Sequence, residues 1–406
     1  MASSDQSRRT RIGLAVLAMA LGGFGIGTTE FVAMGLLPAI AGDLGVSEPT
    51  AGHVIAAYAL GVVVGAPLIA TVFSRVPRRT LLIALMVAFT VGNGLSLLAP
   101  GYGLLMAARF VAGLPHGAFF GVAALFAAHL AGPGNRGRAV GRVMLGLSVA
   151  NVIGVPIATW IGNALGWRSA FALVVVIGGA TVAALAAWLP HVDIPVTNPV
   201  TELGALRNPQ VGFALATGVV GFGGMFAVYS YFSTTLTDAT GLPSAAVPIA
   251  LAVYGLGMVA GNTVGGWAAD RSVPRSLVAG LALIAAVMLL YTALVQNPVA
   301  AFVLAFLVGF TGSALVPALQ MRLMDVAGDA QTLAATLNHS ALNIANALGA
   351  LLGGMVIDAG WGYPATGLVG FVLAVAGLGV VAAAFAQARA AARRAAREPA
   401  DESLTV

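Results

Sequence analysis

The sequence predicts an all-α integral membrane protein: twelve transmembrane helices in two parallel-repeat six-helix halves. Three observations carry this. Of 406 residues, 59% are hydrophobic and only 8% are charged, whereas a soluble domain carries about 25% charged residues. Apolar runs recur from end to end, each near the roughly 20 residues that a helix needs to cross a bilayer. Short motifs also recur about half a chain apart. Val76-Pro77-Arg78 returns as Val273-Pro274-Arg275, and Gly166-Trp167 returns as Gly360-Trp361.

Runs bounded by Gly, Pro and charge place the spans at about 12–38, 51–73, 80–99, 102–128, 139–163, 168–189, 209–236, 245–268, 275–295, 298–322, 331–357 and 363–387. With the N-terminus in the cytoplasm, every arginine falls in a cytoplasmic segment except Arg168, which lies outside, and Arg109, which lies within a span. That asymmetry is what the positive-inside rule requires, so both termini are expected in the cytoplasm of a multi-pass inner-membrane protein. The polar stretch 191–208 reads as a cytoplasmic linker between residues 1–190 and 209–388. Residues 389–406 read as a cytoplasmic tail, with Arg389–Arg397 a short surface helix or an orientation signal.

Composition also excludes function classes. There is no cysteine, which removes disulfides and thiolate metal sites. All 19 basic residues are arginines, so the lysine of a Walker-A phosphate loop is missing and direct ATP hydrolysis is not expected. A pI near 10.1 does not point to nucleic acid, because the arginines sit in short clusters between apolar runs. The first run is too long for a cleavable signal, and more spans follow it. No HExxH or EF-hand pattern occurs.

The residues that could carry chemistry are polar groups inside apolar runs. Glu30, in Gly22–Pro38, is the only one of the 14 acidic residues placed deep in a span. A carboxylate at a helix centre costs on the order of 2.5–3.5 kcal/mol on insertion scales, so it reads as a proton-handling group. A solvated or salt-bridged Glu30 is the rival reading. The glycines Gly22, Gly23, Gly25 and Gly27 form a thin helix face that lets neighbours approach.

The fourth span holds Arg109, Gly113 and His116 on one face. A buried arginine keeps its charge, so it needs a counter-charge, for which Glu30 is the candidate, or backbone carbonyls at a helix break. His116 either relays protons and bonds substrate or satisfies a backbone kinked by Pro115. In the eleventh span His339, Asn343 and Asn346 share a face, lining a cavity or joining helices. In the seventh, Phe222, Phe226 and Tyr229 share a face suited to an amphipathic organic molecule, or to ordinary packing. Gly154 and Pro156 in the fifth span mark a hinge or a static bend. Arg75, Arg78, Asp270, Arg271 and Arg275 sit at helix ends, where charge clusters latch one conformation or only set topology.

The stretches GTTEFVAMGLLP (27–38), GAPLIATVFSRVPRR (65–79), RFVAGLPHGAFFG (109–121), GLSVANVIGVP (146–156), GWRSAF (166–171), PALQMRLM (317–324) and LNIANALGALLGG (342–354) together resemble the major facilitator superfamily. Within it they resemble the twelve-span drug/proton antiporters, in the branch of arabinose-efflux-permease-like, sugar-efflux and chloramphenicol-resistance proteins. The resemblance implies proton-driven efflux, with Glu30 and Arg109 in the first- and fourth-helix motifs and Gly154 and Pro156 in the antiporter motif. It places His116 and Asn343 at positions tied to substrate handling. One departure stands out: the loop aspartate of the family is kept as Asp270 but replaced by Phe73-Ser74 in the first half.

The expected function is a proton-coupled secondary transporter that exports a small organic compound, an amphenicol-like drug or a sugar. Glu30, Arg109 and His116 would couple protons, and His116, Asn151, Phe226, Tyr229, His339 and Asn343 would contact substrate. Its partners would be protons, substrate and lipid, not nucleic acid. It would work as a monomer, with no cofactor or metal beyond the proton gradient. A proton symporter or uptake facilitator for sugars or nucleobases is the alternative, and a membrane-embedded enzyme or a non-transporting sensor is a remoter one. No convergent acid–base or nucleophile set supports an enzyme.

Overall fold

A computed structural model describes residues 2–46, 48–192, 194, 198–243 and 246–395. Among them, twelve helices are long and apolar enough to cross a membrane: Thr10–Gly35, Thr50–Val72, Arg78–Leu98, Tyr102–Ala131, Arg136–Leu165, Trp167–Trp188, Pro209–Ser230, Val247–Arg271, Val273–Leu294, Pro298–Val326, Gln331–Trp361 and Tyr363–Arg393. No strand occurs among the described residues. The seventh span ends earlier than its sequence-based boundary. Its α-helix ends at Ser230, because Tyr231 leaves helical geometry (φ −112°, ψ 11°), and the chain continues as a short helix and a π-turn over Thr235–Ala239.

The last helix runs unbroken over Thr366–Ala395, so Arg389 and Arg393 extend the twelfth span rather than start a new element. Residues 396–406, with Arg397, and residues 193 and 195–197 of the interhelical stretch lie outside the described residues. The rest of that stretch forms a helix over Pro199–Gly204 that packs against the second and eleventh spans.

The two halves repeat each other's packing. The second span lies on the fourth as the eighth lies on the tenth, and the first lies on the fifth as the seventh lies on the eleventh. Small residues make the tightest of these contacts possible. A Cβ on Gly61, Gly65 or Gly113 would collide with a backbone carbonyl of the facing helix, and so would one on Gly257, Gly261 or Gly309. The two sets are offset by 196 residues. This is close small-residue packing, which suits a bilayer that offers no hydrophobic drive between helices.

At the end of the bundle away from most arginines, Asp43 clamps three loops. It accepts hydrogen bonds from Trp167 Nε1 at 2.9 Å and Arg168 Nη1 at 2.5 Å, while Arg168 Nη2 donates to the Ala99 carbonyl at 3.0 Å. These donors hold the Asp43 carboxyl below its ordinary value of 3.8. A group with a depressed folded-state value stabilises above its unfolded value, and that contribution is lost as pH falls through the folded one. Asp43→Asn is therefore expected to lower the melting temperature at pH 7, and the gap to wild type should close below about pH 4. Thermal unfolding of both proteins across that range checks it, and a gap that persists in acid would contradict the assignment.

The halves meet where the eighth span crosses the fifth and the eleventh crosses the second and fourth. Toward the arginine-rich face this seam is sealed. A Cβ on Gly137 would lie 2.6 Å from the Gly266 carbonyl oxygen, one on Gly141 2.6 Å from that of Asn262, and one on Gly121 2.5 Å from Thr336 N.

Candidate functional site

Just beyond that sealed layer, between the halves, lies a cavity of about 80 Å³. Ligand pockets usually measure about 300–1,000 Å³, so this one admits a substrate only once side chains swing or the halves part. Glu30 of the first span lines it, half-buried. Its neighbours there include Asn151, Tyr229, His116, His339 and Asn343. Aromatic rings make up much of its wall: Tyr229 stands edge-on to Phe31 at 6.1 Å and lies 4.9 Å from Tyr254, and Phe226 stands edge-on to Phe222 at 5.5 Å.

Local helix geometry aims these groups. The fifth span carries a π-turn at Ala150–Gly154 just before Pro156, and such bulges shift the register of the following side chains. Asn151 sits in this turn with its amide bonded to the Leu147 carbonyl at 3.1 Å. Gly154 faces the first span, where a Cβ would meet Thr28 and Phe24. Asn343 likewise donates to the His339 carbonyl one turn back, at 3.0 Å.

Arg109 is fully buried behind the cavity wall. Its guanidinium does not bond the Glu30 carboxylate. Nη1 donates to the Thr29 hydroxyl at 2.9 Å and Nη2 to the Thr29 carbonyl at 3.1 Å. The Thr29 hydroxyl in turn donates to Asn93 Oδ1 at 2.5 Å, and Asn93 Nδ2 donates to the Phe89 carbonyl at 2.9 Å. The same guanidinium lies 4.3 Å from the centroid of Tyr58, whose hydroxyl shares a hydrogen bond with His116 Nδ1 at 3.1 Å. Among the described residues, no hydrogen bond or ion pair holds the Glu30 carboxylate.

Sequence reasoning did not single out Tyr58, Thr29, Asn93, Ser148 or Asn262. Asn262 Nδ2 donates across the halves to Ser148 Oγ at 2.7 Å. One signal for Tyr58 was present: it and Tyr254 are separated by the same 196 residues as the paired glycines. The rest are polar residues whose neighbours only the packing reveals.

The charged residues at helix ends divide. Asp270, with only 3% of its side chain exposed, accepts from Gly137 N at 2.6 Å and Arg138 N at 3.2 Å, and pairs with Arg138 Nε at 3.2 Å. It thus caps the first turn of the fifth span from the other half, where a carboxylate complements the positive helix end. Arg136 pairs with Asp325 at 3.1 Å beside it. Arg271 instead lies over the Trp267 ring at 3.3 Å, the Arg275 backbone N–H meets Ser272 Oγ at 3.4 Å, and Arg75 is exposed. Arg78 is buried and donates to the Ser74 carbonyl at 3.1 Å.

Twelve apolar spans in two matched halves, enclosing a small cavity at their seam, define a membrane transporter rather than an enzyme. The chain belongs to the Major Facilitator Superfamily, whose profile it matches over residues 19–243 and 214–405. It is 43% identical over 365 residues to the inner membrane transport protein YdhP of Escherichia coli (strain K12), covering 90% of this chain and 94% of that one. It is 33% identical over 341 residues to the chloramphenicol resistance protein of Streptomyces lividans, covering 80% and 85%. The crystal structure of the superfamily transporter FucP superposes with a TM-score of 0.73 at 14% identity, over 91% of this chain and 98% of that one.

Proposed function

We propose that this transporter exports a small organic compound in exchange for protons, working as a monomer with its arginine-rich face and both termini in the cytoplasm. The observation that carries the reading is Glu30, a carboxylate without a bonded cation in the cavity between the halves. Loading a proton there removes a charge from a low-dielectric site, so the two protonation states weight the two facing conformations differently. Substrate and proton then compete for one cavity, which is antiport. The aromatic wall favours an amphipathic molecule. The named role of the Streptomyces relative makes amphenicols the first compounds to test.

The test is flux in proteoliposomes under imposed pH gradients, screening amphenicols, sugars and lipophilic cations. Wild type is expected to move substrate against the proton flow, and Glu30→Gln to lose gradient-driven accumulation while keeping passive exchange. Accumulation in the same direction as proton flow would indicate a symporter. Undiminished driven flux by the Glu30→Gln protein would sink the proton role.

A further inference from the structure

We propose that His116 and His339, one from each half, form a second proton-binding site that acts as the gate between the cavity and the sealed seam. Their ring centroids lie 5.4 Å apart. His116 is 1% exposed and His339 5%, and both line the cavity floor. At their level the halves already touch: a Cβ on Gly117 would lie 3.3 Å from His339 Cβ, and Ser340 Oγ reaches the Val63 carbonyl at 3.3 Å. One turn beyond, a Cβ on Gly121 would lie 2.5 Å from Thr336 N. The pair is the last layer of the cavity lining before that contact.

The closed arrangement suits neutral rings. His339 stacks on Phe120 at 4.4 Å and 11°, and its Nε2 is buried without a hydrogen-bond partner. His116 shares its Nδ1 with the Tyr58 hydroxyl. The charged and titratable groups facing the pair are few. Glu30 comes from the first span, Tyr58 from the second and Arg109 from the fourth, two turns before His116. Tyr229 of the seventh span and Tyr254 of the eighth line the same cavity, and the remaining polar groups of its lining are the amides Asn151, Asn262, Asn343 and Asn346 and the hydroxyl of Ser313. No carboxylate bonds either ring among the described residues.

An imidazole lone pair that takes a proton from cavity water becomes a cation. Buried there, it faces the other ring at 5.4 Å and the Arg109 charge beyond Tyr58. A buried imidazolium with no bonded counter-charge is costly in a low-dielectric interior, and water entering the layer relieves that cost. A proton on either ring therefore favours parting of the halves at this layer, and its release allows them to close. The site rests on the proton-coupled reading above only in that protons must reach the cavity.

The test reads opening directly. The chain has no cysteine, so Pro133→Cys and Asp329→Cys, at exposed positions on opposite halves of the arginine-rich face, can carry a spin-label pair. Distance distributions are recorded in nanodiscs from pH 5 to 9. Wild type is expected to shift from closed to open on acidification in two steps, one lost in Glu30→Gln and the other in His339→Phe or His116→Phe. The phenylalanine variants keep an aromatic ring and remove only its capacity to take a proton, so a merely structural role would leave the step in place. Histidine-selective NMR on the five-histidine chain gives a second readout, in which the His116 and His339 signals become imidazolium together with opening. Retention of both steps in the double phenylalanine variant, or rings that stay neutral in the open state, would overturn the gate. Loss of the Glu30 step with the histidine step intact, or the reverse, tells failure of one proposal from failure of the other.

Discussion

Gly121→Val is expected to fold and insert, and to be unable to seal the arginine-rich face. Gly121 sits on the fourth span, and a Cβ there would come within 2.5 Å of Thr336 N and 2.6 Å of Thr336 Cα. Both are backbone atoms of the eleventh span, in the other half, so no rotamer change relieves the contact. The clash exists only when the halves are closed. Overpacking of this kind costs about 1–3 kcal/mol, which moves a two-state equilibrium by roughly five- to 150-fold. Driven transport should fall to background, and the label distance across the face should be that of the open form at every pH. A Gly65→Val control behaves differently. Gly65 meets the Leu114 backbone within the same half, so that variant should fail to fold in either conformation. A closed, active Gly121→Val protein would mean that the seam opens and closes elsewhere.

Arg109 gives the second large effect. Its side chain makes two hydrogen bonds to one residue, Thr29, and lies against the Tyr58 ring. Hydrogen bonds to a charged group are worth about 1.5–3 kcal/mol each, and the cation–π contact about 2 kcal/mol when desolvated. Arg109→Ala should therefore lower thermal stability by several kcal/mol and abolish driven flux. Arg109→Lys is the more informative variant. A compact ammonium cannot bond the hydroxyl and carbonyl of Thr29 together while lying flat on tyrosine. It should restore part of the stability but leave transport at least about tenfold below wild type. Wild-type transport in the lysine protein would show that only the charge matters.

Both predictions concern contacts that lie far apart in sequence, and this marks the limit of what could be read from residues alone. The spans were legible because lipid demands apolar length and internally satisfied backbone, constraints written along the chain one run at a time. The halves were legible because short motifs recur at nearly equal offsets, 197 and 194 residues. Glu30 and Arg109 stood out because charge is costly in a bilayer. Their relationship did not. Sequence offered Glu30 as the counter-charge for Arg109, whereas the fork is taken up by the neighbouring Thr29. The helix rotation that separates adjacent side chains by about 100° decides which of the two faces the fourth span.

The sequence by itself determined the class of protein, the number of crossings and some of the buried polar groups, Glu30, Arg109, His116 and His339 among them. Each follows from composition and from the energetic cost of placing that residue type in lipid. Only the tertiary structure decided which of those groups meet. It put His116 beside His339 at the closed end of the cavity, carried Asp270 across to the first turn of the fifth span, and left Glu30 open to the space between the halves. Those pairings depend on helix rotation and on close approach through glycine, which join residues more than a hundred positions apart, and no local pattern records them.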